Sequence, residues 1–160
     1  MKAEIITSPL GNIRLEAEGD YLLSLQFTEQ PIQESSDDIL FLDVKSQLKA
    51  YFDGQLKIFD IPIGLSGTTF QKQVWMKVNQ VPYGETVFYE DIARSINNPD
   101  AVRAVGAANG VNPLLVVIPC HRIIARSGAL TGYAGGLWRK VKLLQLEASD
   151  KPGRQFDLGF

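Results

Sequence analysis

Cysteine and histidine are all but missing from this chain: its 160 residues contain one of each. A single cysteine closes no intrachain disulfide, which fits a reducing compartment. One cysteine and one histidine cannot supply the four nitrogen or sulfur ligands of a structural zinc site, so no such metal is expected; the expectation for cofactors is likewise none. Long apolar runs are missing too. The longest clear one, Leu114 to Ile118, is far short of the ~20 residues that span a bilayer. The start, Met1-Lys2-Ala3-Glu4, leads into an alternating strand pattern and not into a secretory leader. These absences together predict a cytoplasmic protein without a membrane partner. Charge of one sign is not in excess either, the net charge being −2.

What is present is ordinary globular composition, with 45% hydrophobic and 21% charged residues. The length suits one domain or two small ones sharing a core. The near-neutral total hides an asymmetry. Residues 1–65 carry 5 Lys and Arg against 11 Asp and Glu, whereas residues 66–160 carry 11 against 7. An acidic first part and a basic second part suggest that only the second meets a polyanion, although a split of this size also arises without function.

The pattern along the chain predicts α/β (α+β) organisation in three pieces: 1–64, a small α/β support domain; 65–150, a second domain carrying the chemistry; and 151–160, a polar tail. Ala3–Ser8, Ile13–Glu18 and Tyr21–Phe27 alternate apolar and polar residues around Pro9-Leu10-Gly11-Asn12 and Gly19-Asp20, an antiparallel meander. Leu40, Val44, Leu48, Tyr51 and Phe52 have helical spacing after a Ser-Asp start, and Leu56–Ile63 alternates again. Phe70, Val74, Trp75 and Val78 share a helix face. Tyr89–Ile96 and Ala101–Asn109, separated by Asn97-Asn98-Pro99, form a pair of short helices like a helix-turn-helix, with Asp100 the expected cap of the second. That second helix is paved with Ala101, Ala104, Ala107 and Ala108, and Arg103 is its one cation. Small residues permit either close packing or entry into a nucleic-acid groove. Leu114–Ile118 reads as a short buried strand, and Leu137, Val141 and Leu144 mark a final helix.

The lone cysteine and lone histidine are adjacent, in Ile118-Pro119-Cys120-His121-Arg122. A thiolate is the strongest side-chain nucleophile near neutral pH and needs a basic or positive neighbour to form. Pro119 suits the first position of a helical turn, whose N-terminus would help lower the thiol pKa. Adjacent residues on such a turn do not face one another, so a bridging water is needed between Cys120 and His121. The imidazole also needs an acceptor to orient it, and Glu147 is the natural candidate. A lone cysteine is otherwise a small buried hydrophobe. Glu147 could equally be an exposed helix end with Lys140, seven residues earlier, as its partner.

Ile118-Pro119-Cys120-His121-Arg122-Ile123-Ile124, then Gly132-Tyr133-Ala134-Gly135-Gly136-Leu137 and Leu143-Leu144-Gln145-Leu146-Glu147, resembles the active-site signature of the O6-alkylguanine-DNA alkyltransferases (methylated-DNA–protein-cysteine methyltransferases). Val81-Pro82-Tyr83-Gly84-Glu85-Thr86 and Arg103-Ala104-Val105-Gly106 resemble the same family's helix-turn-helix region. The likeness is close over about 68–148 and loose over 1–64. It implies a small ribonuclease-H-like N-terminal domain and a mainly helical C-terminal domain that binds double-stranded DNA through the minor groove, the protein acting as a monomer. It implies that Cys120 accepts an alkyl group from O6 of guanine, with O4 of thymine a further candidate, once and irreversibly. His121 takes the thiol proton through water and Glu147 holds the imidazole. Tyr89 donates to N3 of the departing base, and Arg103 fills the stack after the nucleotide is everted. Asn112 stabilises the turn before the active site, and Tyr133 lines the alkyl pocket. The N–H of Ala134 and the carbonyls of Cys120 and Ile123 read the base edge. Arg122, Ala101 and Ala104 are counted among the residues that contact substrate or DNA.

The chain departs from the family's pattern at Gly110, where a second arginine is common, and at Leu115, where some members have proline. Its first part holds no zinc ligands. Two rival functions use the same residues: a non-catalytic lesion-binding relative, which would lack the cysteine, and a turnover Cys-His hydrolase, which would need an oxyanion hole and a histidine at a distance from the cysteine.

Overall fold

The computed structural model describes residues 1–35, 37–130 and 132–148; the expected tail at 151–160 lies outside them. The chain forms two compact units. One is Met1–Ser66 with Pro113–Leu115, the other Gly67–Asn112 with the segment from Val116 onward.

The first unit is an antiparallel meander of β1 (Lys2–Ile6), β2 (Ile13–Glu18) and β3 (Tyr21–Phe27), followed by α1 (Ile39–Phe52). Alternation sets the register: Ile13, Leu15 and Ala17 are sealed inside while Arg14, Glu16 and Glu18 face outward. A bulge between Glu16 and Ala17 lets β3 keep Leu22 and Leu25 buried on both sides of it. Phe41, Val44, Leu48 and Tyr51 give α1 its buried stripe. Asp38 caps it, its carboxylate accepting from the Phe41 N–H at 2.9 Å, a contact worth about 1 kcal/mol.

Leu56–Ile63 does not form the expected strand. Only Ile63 makes a bridge, parallel to Leu22, between Pro62 O and Gly64 N. Pro62 has no N–H to continue a ladder, and Ile58 is exposed. Leu114–Ile118 is buried as expected but is not a strand. Leu114 alone pairs, with Leu25 of β3, and the chain turns away at Val116, whose φ is 72°. A run buried on every side has no periodicity from which to read its backbone.

The second unit carries α2 (Thr69–Val78), β4 (Val87–Phe88), α3 (Tyr89–Ser95), α4 (Val102–Gly110), a 3₁₀ turn (Cys120–Arg122), β5 (Ile123–Ile124) and α5 (Leu137–Glu147). Helix α3 ends because Asn97 takes a left-handed conformation (φ 58°), with Asn98 N–H donating to Ala93 O and Asn97 N–H to Arg94 O. Asp100 is not the cap of α4. Ala101 holds that position without a side-chain hydrogen bond, so the turn is secured by the Schellman bonds before it. Trp75 of α2 donates its indole N–H to Ala108 O at 2.9 Å, which pins the last turn of α4. The architecture is therefore mixed α/β, a small-sheet N-terminal unit and a mainly helical C-terminal one. Among the described residues no helix is long and apolar enough to cross a membrane.

Candidate active site

Pro119 prepares the position of the nucleophile differently from expectation. Its φ of −80° and ψ of 60° make an inverse γ-turn, closed by Cys120 N–H donating to Ile118 O at 2.8 Å. The 3₁₀ turn begins only at Cys120. Asn112 holds the approach by donating from Nδ2 to Ile118 O at 2.8 Å. After the turn, β5 pairs in parallel with β4, Val87 with Ile123 and Phe88 with Ile124. This two-residue pairing lay too short and too far apart in sequence to be read, and it ties the segment that leads into α3 to the segment that follows the turn.

Behind the turn is a sealed ion cluster. His121 is wholly buried, and its Nε2 lies 2.7 Å from Glu147 Oε2. Arg122 grips the same carboxylate with two donors, Nε to Oε1 at 2.7 Å and a terminal nitrogen to Oε2 at 2.9 Å. Its other terminal nitrogen donates to Val81 O at 2.7 Å. Gly84, with φ 79°, turns its N–H toward Glu147 Oε1 at 3.4 Å. Glu147 is therefore not frayed: it is buried, with its carboxylate held by His121 and Arg122. Burial opposes its ionisation, but the charges and hydrogen bonds of His121 and Arg122 outweigh it and hold the carboxyl well below the usual range. Burial lowers the pKa of His121, against the pull of Glu147, so the imidazole is neutral near pH 7. Among the described residues Nδ1 has no hydrogen-bond partner. The ring thus keeps one nitrogen bound to the carboxylate and one available to accept a proton.

Arg122 was expected to contact DNA or substrate. It is 6% exposed, and its guanidinium is fully engaged inside, so it holds Glu147 instead. The thiol also departs from expectation. Three residues of 3₁₀ turn carry too little dipole to favour a thiolate, and burial pushes the Cys120 thiol up to about 11, against the lowering effects of an Asn112 hydrogen bond and the Lys140 charge. Lys140 is the residue that sequence reasoning undervalued. It is completely buried, donates from Nζ to Ile123 O at 2.7 Å, and is lowered to about 8, by burial first, with Cys120 opposing. The available signal was a lysine in the apolar stripe of α5.

The other expected site residues lie in the same unit. Tyr133 stands close enough for the Cys120 charge to add to the effect of burial in raising its pKa, and among the described residues its buried hydroxyl has no partner. Ala134 is exposed in the loop before α5. Tyr89 is half-buried, and its ring reaches within 4.0 Å of where a Cβ on Gly106 would sit. Arg103, Ala104, Ala107 and Gly110 make an exposed face of α4, Ala101 is half-buried, and Ala108 is packed inside. Ala108 therefore packs closely against the interior, while Ala104 and Ala107 lie on the outer face. An exposed helix face with alanine and glycine where charges are usual is suited to close approach.

Residues 69–149 match the DNA-binding domain of 6-O-methylguanine DNA methyltransferase, and residues 1–65 match the ribonuclease-like domain of the same enzyme. The chain belongs to the 6-O-methylguanine DNA methyltransferase family. Among its relatives is the methylated-DNA–protein-cysteine methyltransferase of Mycobacterium tuberculosis, 46% identical over 152 residues, 92% of each chain. The Methanosarcina acetivorans protein of the same name is 44% identical over 151 residues, 91% of this chain and 97% of the relative. The crystal structure of the M. tuberculosis O6-methylguanine methyltransferase superposes with a TM-score of 0.84 at 45% identity, covering 95% of both chains. A crystal structure of M. tuberculosis OGT in complex with DNA also gives 0.84 at 45% identity, over 94% of both. As a methyltransferase of this family, the chain keeps its one thiol beside a buried imidazole–carboxylate pair.

Proposed function

We propose that the protein repairs double-stranded DNA by moving an alkyl group, methyl in the simplest case, from O6 of guanine to Cys120. The observation that carries this reading is the Cys120 turn backed by the His121–Glu147–Arg122 cluster in a chain of this family. Sγ attacks the alkyl carbon, the carbon–O6 bond breaks, and a thioether forms. The thiol proton passes through water to His121, and the departing base takes up a proton in its place. A thioether does not hydrolyse readily, so each molecule acts once.

Burial of the thiol supports a switched reaction. With a pKa of about 11, forming the thiolate at pH 7 costs about 5 kcal/mol, so the resting protein is unreactive to other electrophiles. Neutral His121, held by ionised Glu147, is the acceptor that makes the proton transfer feasible. The target base must leave the duplex to reach Sγ. The exposed small face of α4 approaches the minor groove, and Arg103 on that face offsets the lost stacking. Tyr89 donates to the departing base, Tyr133 borders the alkyl group, and Ala134 N–H contacts the base edge. The protein acts as a monomer.

Intact mass decides the matter. Incubation with duplex containing O6-methylguanine should add one methylene (~14 Da) per molecule, and Cys120→Ser should abolish the gain while retaining DNA binding. Tight binding by the parent chain with no mass change would favour a lesion sensor, and repeated turnover of an ester would favour a hydrolase.

A further inference from the structure

Asn109 occupies the last turn of α4 on the side away from the exposed Arg103–Ala104–Ala107 face. It is 4% exposed, and its Nδ2 donates to the carbonyl of Cys120 at 3.3 Å. That carbonyl already accepts the Ile123 N–H that closes the 3₁₀ turn, so both of its lone pairs are engaged. Among the described residues the other end of the amide, Oδ1, is buried with no partner.

These bonds do not favour Asn109 on grounds of stability. One neutral hydrogen bond contributes about 1 kcal/mol, whereas an unsatisfied buried acceptor costs ~1–3 kcal/mol. A leucine or methionine at the penultimate position of α4 would avoid that cost. The amide does something an apolar side chain cannot: it ties the backbone of the nucleophile to the helix whose opposite face is open. The neighbouring residue strengthens the tie, because Trp75 fixes Ala108 O and so fixes the turn from which Asn109 projects.

We propose that Asn109 is a positioning residue that couples α4 to Cys120, setting the direction of the thiol relative to the helix that meets DNA. The proposal rests on the reading of α4 as the DNA-facing helix and of Cys120 as the alkyl acceptor. Coupling of this kind matters for a substrate delivered along α4 and matters little for one that diffuses to the thiol alone.

Asn109→Leu and Asn109→Ala each remove the amide, one keeping bulk and one not. Each variant and the parent chain would be reacted, from one preparation, with duplex containing O6-methylguanine and with free O6-benzylguanine. The ratio of the two rates is the readout, since any loss of folded protein cancels in it. The expected result is a ratio lowered at least ~10-fold in both variants, about 1.4 kcal/mol of differential transition-state stabilisation, with the Asn109→Leu unfolding midpoint not below that of the parent. An unchanged ratio overturns the proposal, as does a ratio lowered in Asn109→Ala but restored in Asn109→Leu, which would make the residue a space-filler. Failure of the parent chain itself to gain mass from the duplex would instead overturn the functional reading.

Discussion

Arg122 and Glu147 form a two-pronged ion pair inside the protein, at 2.7 and 2.9 Å, with the carboxylate side chain 1% exposed. Beside the Cys120 turn this arrangement fixes the orientation of a third group, His121, whose Nε2 lies 2.7 Å from Glu147 Oε2. His121 and Arg122 hold the carboxyl well below the usual range, so Glu147 stays ionised and the imidazole keeps one orientation.

Arg122→Leu should therefore act on stability. Removing the guanidinium leaves a buried carboxylate without its permanent counter-charge, a loss of about 3–5 kcal/mol, readable as an earlier denaturant midpoint. Under conditions where the variant is folded, its affinity for undamaged duplex should equal that of the parent. A fall in affinity at unchanged stability would return Arg122 to the DNA interface.

The acid limb of the transfer rate should lie below the ordinary histidine range. His121 must be neutral to accept a proton, and burial lowers its pKa from 6.5. The rate should thus hold as pH falls to about 6.5 and decline only beneath it. Stability follows the same sign for both partners, because each pKa is depressed in the folded state. The contribution of Glu147 is complete above its ordinary 4.5 and is lost only as pH falls through its lowered folded value. Single-turnover rates between pH 5 and 8 test the first point, and an acid-unfolding series tests the second. A midpoint above 6.5 would mean that the proton acceptor is some other group.

Lys140→Met should slow transfer without unfolding the protein. The ammonium is the nearby charge that favours the thiolate, so its removal should cost about tenfold in rate for each unit by which the thiol pKa rises. Stability should fall only modestly: a desolvated charge disappears, while the buried Ile123 O loses its Lys140 donor, a cost of about 1–3 kcal/mol. Thiolate absorbance against pH measures the effect directly, and an unmoved titration would assign Lys140 a packing role only.

Arg103→Ala should separate extrusion from chemistry. The side chain is exposed on α4 and makes no demand on the interior. Loss of an inserted side chain, worth a few kcal/mol of unstacking, should slow repair in duplex by more than tenfold and leave the reaction with free O6-benzylguanine near that of the parent. Equal slowing of both would remove Arg103 from the flipping step.

Much of this was legible in the order of residues. The period-two stretches gave β2 and β3 at their observed bounds, because each has one wet and one dry face, and that alternation is a local property. The Cys-His adjacency, the glycine loop and Glu147 at the end of an apolar stripe marked the chemistry, because the reaction needs those residue types wherever the chain goes. Folding in three dimensions decided the rest. It made Arg122 internal and Lys140 the neighbour of the thiol, turned Leu114–Ile118 into a bridge and a left-handed bend, and set Asn109 against Cys120. It also raised the thiol pKa where the local sequence favoured lowering it. Burial and long-range pairing come from segments distant in sequence, and the desolvation they impose exceeds anything a short turn and its immediate neighbours supply.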